Sequence, residues 1–221
     1  MKKPTKIFAK VTILGVALAL TGCGALNNQL ADKTKQVEYY RIFDIKTDVA
    51  RKVIAEAASN GLGRNVNNAV ETTPIPNGPV PDQPGRFKLE SPLAGTQLGA
   101  FMNIAGASIN SRVATCEGAV WTAKAVRRVD GSDNLNLNLC LFQYKGGYHL
   151  NMYAVFQKKT GGLMQISRNL AHAMVGTPEE WTERTMLDVV RSINLNTKSN
   201  IELLEAEPEI TGTPWLEGFD R

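Results

Sequence analysis

The sequence predicts an α+β domain, an antiparallel β-meander with helices packed mainly on one face. Two observations predict it. Three strand-like runs, 117–129, 135–144 and 148–159, follow one another through short glycine-containing turns. Two amphipathic helical patterns, over 48–61 and from Thr177 to Ile193, flank them in the chain.

The elements follow in order. VEYYRIFDI (37–45) is dense in β-branched and aromatic residues and predicts a strand. Thr47 or Asp48 then caps a helix whose apolar stripe is Val49, Val53, Ile54 and Ala57, and Gly61 ends it. RNVNNAVETT (64–73) is expected to be a second strand. Residues 74–85 hold five of the ten prolines. Proline lacks an amide donor, so this stretch reads as a surface connection, with a polyproline ligand as the alternative. RFKLE (86–90) predicts a short strand. The Gly/Ala-rich apolar stretch 91–109 suits close approach of a helix to a sheet; the alternative is a segment touching membrane or ligand.

In the meander, Leu135, Leu137, Leu139 and Leu141 alternate with Asn and Cys, the mark of a half-buried strand. A two-residue turn at Gly146–Gly147 sets Leu141 opposite Met152, Leu139 opposite Ala154 and Leu137 opposite Phe156. A three-residue turn at Gly131-Ser132-Asp133 puts Trp121, Ala123 and Ala125 on that same face and Cys140 near Lys124. Leu163, Ile166, Leu170 and Met174 predict a helix over 163–174. Thr177-Pro178-Glu179-Glu180 starts another: threonine caps, proline takes the first helical position and Glu180 completes a capping box. Its buried stripe is Met186, Val189, Val190 and Ile193. From 196 onward the chain carries six acids against two bases and reads as an acidic tail.

The N-terminal residues have a separate logic. Lys2, Lys3, Lys6 and Lys10 form a basic head, and 11–20 is a run of ten apolar or small residues. Spanning a membrane takes about 20 such residues, so the run is a secretory signal rather than an anchor helix. It ends Leu20-Thr21-Gly22-Cys23. This resembles the lipobox of bacterial lipoprotein precursors, over the first two dozen residues only. The resemblance implies removal of 1–22, lipid on Cys23 and stable anchoring by more than one acyl chain. Gly24, where an Asp would retain the protein at the inner membrane, implies the outer membrane. The expected organisation is signal 1–22, lipidated cysteine and flexible tether 23–36, one α+β domain 37–195, and tail 196–221. As a flexible coil, the tether would reach roughly 20 Å.

Charge removes one class of function. The signal's four lysines account for the whole net charge of +4, leaving 21 basic against 21 acidic residues, so nucleic acid is not an expected partner. The two histidines, His149 and His172, are far apart, and no zinc cluster, hydrolase elbow, Walker loop or EF-hand is present. No catalytic, metal or cofactor residues are therefore assigned, and no cofactor is expected. A Cys116–His149 thiol–imidazole pair is the nearest approach to a nucleophilic site.

Cys116 and Cys140 pose a conflict. An oxidising periplasm favours a disulfide. A regular meander places them eight positions apart, roughly 26 Å, unless 112–118 leaves the strand and folds back over the sheet. Opposite the leucines, Asn138, Phe142, Tyr144, His149, Asn151 and Tyr153 interleave aromatics and amides, either as a binding face or as a second buried layer. Trp215 and Phe219 in the acidic tail are candidate partner contacts; the alternative is docking on the protein's own sheet. The functional expectation is an outer-membrane lipoprotein, held by its lipid, whose periplasmic domain binds or scaffolds, with an envelope protein as candidate partner. The alternatives are a cell-envelope hydrolase and an accessory subunit of a secretion or outer-membrane assembly complex.

Overall fold

The computed structural model describes residues 33–75, 77–91, 96–97, 112–127, 135–160 and 176–216. Cys23, the helix expected over 163–174, the turn at 131–133, most of 91–109 and Phe219 lie outside the described residues. The α+β fold class holds. The strands are β1 (Lys33–Lys46), β2 (Ala69–Thr72), β3 (Lys88–Glu90), β4 (Val113–Thr115), β5 (Trp121–Arg127), β6 (Leu135–Tyr144), β7 (Gly147–Thr160) and β8 (Asn200–Glu207). The helices are α1 (Arg51–Leu62) and α2 (Pro178–Thr197). Six strands form one antiparallel sheet in the order β2-β5-β6-β7-β1-β8, and β3 pairs with β4 in a separate ribbon.

The leucine face is the main core. Leu135, Leu137, Leu139, Leu141, Leu150, Met152, Ala154 and Phe156 are buried there with Trp121, Ala123 and Ala125. Both helices contribute to this core, so they lie on one face of the sheet, as expected. Thr177 caps α2 and exchanges capping-box bonds with Glu180, and Met186, Val189, Val190 and Ile193 are all buried. Here local sequence and tertiary structure agree, because the capping bonds are local and the stripe has helical spacing.

Three expectations are corrected in detail. The meander pairs Leu141 with Leu150, Leu139 with Met152 and Leu137 with Ala154, two residues away from the expected register, and the turn is Lys145–Gly146. Likewise Cys140 lies opposite Thr122 rather than Lys124. A slip of two keeps every side chain on its face, so the leucine pattern is satisfied either way. Gly147 sits at φ +138°, where a side chain would collide with the carbonyl oxygen of Ile45; the site accepts glycine only.

The second correction concerns α1. It starts at Arg51, without a side-chain cap, and Thr47 Oγ1 instead accepts a bond from the Val49 N–H. Val53 is substantially exposed, and the buried face is Ile54, Ala55, Ala57, Ala58, Gly61 and Leu62. Gly61 does not end the helix. A Cβ there would lie 2.5 Å from Val189 Cα, so the glycine lets α1 and α2 approach backbone to backbone.

The third concerns the ends of the domain. β1 begins at Lys33, so part of the expected tether is strand. The acidic tail is not a tail over its first half: 200–207 is the edge strand β8, paired with β1. Trp215 is buried in the main core, its ring edge-on to Phe43 at 5.1 Å. Arg41 links these parts. Almost fully buried, it donates to Glu183 of α2 at 2.7 Å and to the Glu207 carbonyl of β8 at 2.7 Å.

Candidate functional site

The sheet's second face is built from the positions that alternate with the leucines. Strand registry sets Cys140 opposite Asn151, Phe142 opposite His149 and Asn138 opposite Tyr153. On the far side of β7, Asp44 lies opposite His149 and Ile42 opposite Asn151. The six expected binding-face residues are therefore together on one face, but four of them are not accessible. Asn138, Phe142, Asn151 and Tyr153 are buried.

The cover is neither a helix nor, among the described residues, the Gly/Ala-rich segment. It is the stretch around β3 and β4. Phe87, Ala114 and Ala119 pack with Ile42, Cys140, Phe142 and Tyr153 into a second core. Phe87 and Tyr153 rings are 5.7 Å apart, and the Phe87 N–H donates to Asn151 Oδ1. Gly85 lies directly on the Phe142 ring, where a Cβ would be 2.5 Å from Cδ1. The expected strand over 117–129 is thus split. It starts only at Trp121, because Glu117–Gly118 turns, with Gly118 at φ +81°, and 113–115 belongs to the covering ribbon.

This fold-back settles the cysteine conflict. Cys116 and Cys140 form a disulfide with α-carbons 5.6 Å apart, tying the covering ribbon to the centre of β6. The thiol needed for a Cys116–His149 pair is consumed by that bond. Among the described residues, His149 has Asp44 as its polar neighbour instead.

What remains open is the end of the face where β1 and β6 finish and β7 starts. Asp44, nearly buried, accepts a hydrogen bond from the Tyr144 hydroxyl at 2.8 Å and from Lys46 Nζ at 2.6 Å. Lys46 also donates to the Tyr144 oxygen at 2.6 Å. His149 Nε2 stands 3.6 Å from Asp44 Oδ1, and its ring meets Tyr144 edge-on at 5.4 Å. Burial raises the Tyr144 hydroxyl's pKa and lowers that of His149; for His149, Lys46 and Arg86 add to the fall and Asp44 opposes it. Hydrogen bonding to Asp44, then to Tyr144, holds Lys46 firmly protonated. The cluster presents an ammonium, a phenol and a neutral imidazole around one carboxylate. That set can donate and accept hydrogen bonds.

The sign of the His149 shift gives a test. A lowered imidazole pKa means the folded state binds fewer protons than the unfolded chain, so stability present above about pH 6.5 is lost as pH falls below it. Thermal unfolding should show Tm falling between about pH 7 and pH 5, and His149→Gln should flatten that fall. Equal slopes in both proteins would remove His149 as the source.

At the same end of the molecule, the proline-rich segment forms a strap. Over its described residues, 74–75 and 77–85, it has neither helix nor strand, as expected. Lys145 in the β6–β7 turn holds it, its N–H donating to the Pro81 carbonyl at 2.9 Å and its ammonium pairing with Asp82. Under the strap is a groove of about 670 Å³, walled by Pro74, Ile75, Pro79 and Val80 and floored by Ala119, Val120 and Gln143, with Arg51 at its rim. Ile75 is 86% exposed. The size suits a small apolar ligand or a short extended segment. This groove was missed in the sequence because its floor exists only once 116–120 folds back.

No protein-family model matches the chain, and no curated protein matches it.

Proposed function

We propose that this chain is an outer-membrane lipoprotein, lipidated at Cys23, whose periplasmic domain binds an apolar segment of an envelope partner in the groove walled by Pro74, Ile75, Pro79 and Val80. The observation that carries the anchor is the stretch Leu20-Thr21-Gly22-Cys23 after a basic head and a ten-residue apolar run. Supporting the binding role, the proline walls limit the conformational freedom that a partner would have to restrict. The polar cluster of Asp44, Lys46, Tyr144 and His149 at the same end of the sheet supplies hydrogen-bonding groups beside it.

Cys23→Ser should abolish palmitate labelling, leave 1–22 uncleaved and keep the protein out of the outer-membrane fraction. Normal labelling of the serine variant would overturn the anchor. A photo-crosslinking residue at position 75 should capture an envelope protein that the same residue at position 52 does not.

A further inference from the structure

The groove walled by Pro74, Ile75, Pro79 and Val80 has a polar complement that says what it takes. Among its described lining residues the charge comes from Arg51 alone. Arg51 is half-buried, and among the described residues its guanidinium has neither an ion pair nor a hydrogen bond. The Tyr148 hydroxyl, close enough for Arg51 to act on electrostatically, is neutral and donates to the Val49 carbonyl.

The charges around Arg51 are matched to one another. Lys52 pairs with Glu56 and Lys145 with Asp82. Glu71 accepts from the Ser59 hydroxyl and the Trp121 indole. Asp48, exposed three residues before Arg51, makes no ion pair with it. Pro76, between Ile75 and Asn77 in sequence, carries no charge. A half-buried guanidinium without a counter-ion favours an anion, and its bonds to a carboxylate are roughly twice as strong as neutral ones.

Asn77 and Gln143 also line the groove, and neither carboxamide has a hydrogen-bond partner among the described residues. A peptide main chain supplies N–H and C=O groups for both. An acyl chain would satisfy Arg51 through its head group but leave the carboxamides unpaired, which is costly once water is displaced. We infer that the groove takes an extended peptide segment of the partner that combines apolar side chains with an aspartate or glutamate, whose carboxylate Arg51 holds. This rests on the reading of the groove as the partner site. It makes Arg51 the residue that sets specificity, with Ile75 and Val80, both exposed, meeting the apolar side chains.

The test uses the processed, lipidated protein in nanodiscs, panned against a display library of random short peptides and cleared on empty nanodiscs. Enriched peptides should combine apolar residues with Asp or Glu. A photo-crosslinking residue at position 75 should capture them, and one at position 35, exposed at the opposite end of β1, should not. Changing the acid of an enriched peptide to its amide should weaken binding about tenfold. Arg51→Gln should weaken the acidic peptide by a similar factor and bind acid and amide alike, so that the two losses do not add. Arg51→Lys should keep a preference for the acid. The acid-to-amide comparison on the parent needs no variant, so it stands even where Arg51→Gln lowers Tm. Enriched peptides that crosslink at 75 but lack an acid, or bind equally as amides, would overturn the inference and leave the groove as the partner site. No enrichment, or equal capture at 35 and 75, would overturn that reading and the inference with it. Dodecanoate binding at Arg51 with no peptide enriched would make the occupant an acyl chain, which overturns both.

Discussion

Trp215→Ala should destabilise the domain by about 3–5 kcal/mol, the usual cost of truncating a large buried aromatic. Against a total of roughly 5–15 kcal/mol, that is a large share. In thermal unfolding it corresponds to a Tm about 6–20 °C lower. The cause is local and identifiable. Trp215 is 4% exposed and packs edge-on against Phe43 in the last third of β1, and the preceding Pro214 carbonyl accepts from Arg191 of α2. Truncation leaves a void between strand and helix that the backbone cannot close. Trp215→Phe should cost much less, because it keeps most of the ring and removes an indole N–H that has no partner among the described residues. Denaturant midpoints of the three proteins check this. An alanine variant within about 1 kcal/mol of the parent would mean that the segment around 215 does not belong to the core. The burial also corrects the expectation of Trp215 as a partner contact: a ring seated on Phe43 is not offered to another protein.

Replacing both Cys116 and Cys140 by alanine should cost about 3 kcal/mol, from the loop of 24 residues that the bond closes. The loss should be uneven. The bond fastens the β3–β4 ribbon over Phe142, Asn151 and Tyr153, whereas the leucine core on the other face does not depend on it. Hydrogen exchange should therefore quicken first at 87–90 and 113–119, with α2 and the centre of β7 slower to respond. Thiol titration of the parent in denaturant, without reductant, should find neither cysteine free. Two free thiols, or uniform exchange across both faces, would sink this account. Opening the ribbon also removes the floor of the groove, so ligand capture by the photo-crosslinker at position 75 should fall in the same variant.

The sequence by itself determined those features whose cause is local. The capping box at Thr177 and the stripe through Met186, Val189, Val190 and Ile193 need only helical spacing. The alternation of Leu135 to Leu141 determined which side of β6 faces the main core shared with the helices, and hence the sheet-plus-helix class. The lipobox is likewise local, being read as a linear string.

Tertiary structure decided what a period of two or a short window leaves degenerate. A slip of two residues leaves the leucines buried in either register, and the choice fell to Gly147, the residue that can pack against the Ile45 carbonyl. β8 was masked by its glutamates. Its alternation is also broken by a bulge, since Ile42 pairs with Glu205 and Phe43 with Leu203, leaving Leu204 as the extra residue. Gly61 looks like a helix stop in one dimension and is a helix crossing in three. The Asn/aromatic face showed that its residues share a side, but not that Phe87 and Ala114, distant in the chain, cover it. Only the fold-back at Glu117–Gly118 brought Cys116 to Cys140, closed that face and built the groove. Each of these outcomes depends on contacts between segments far apart in sequence, whose positions no local pattern encodes.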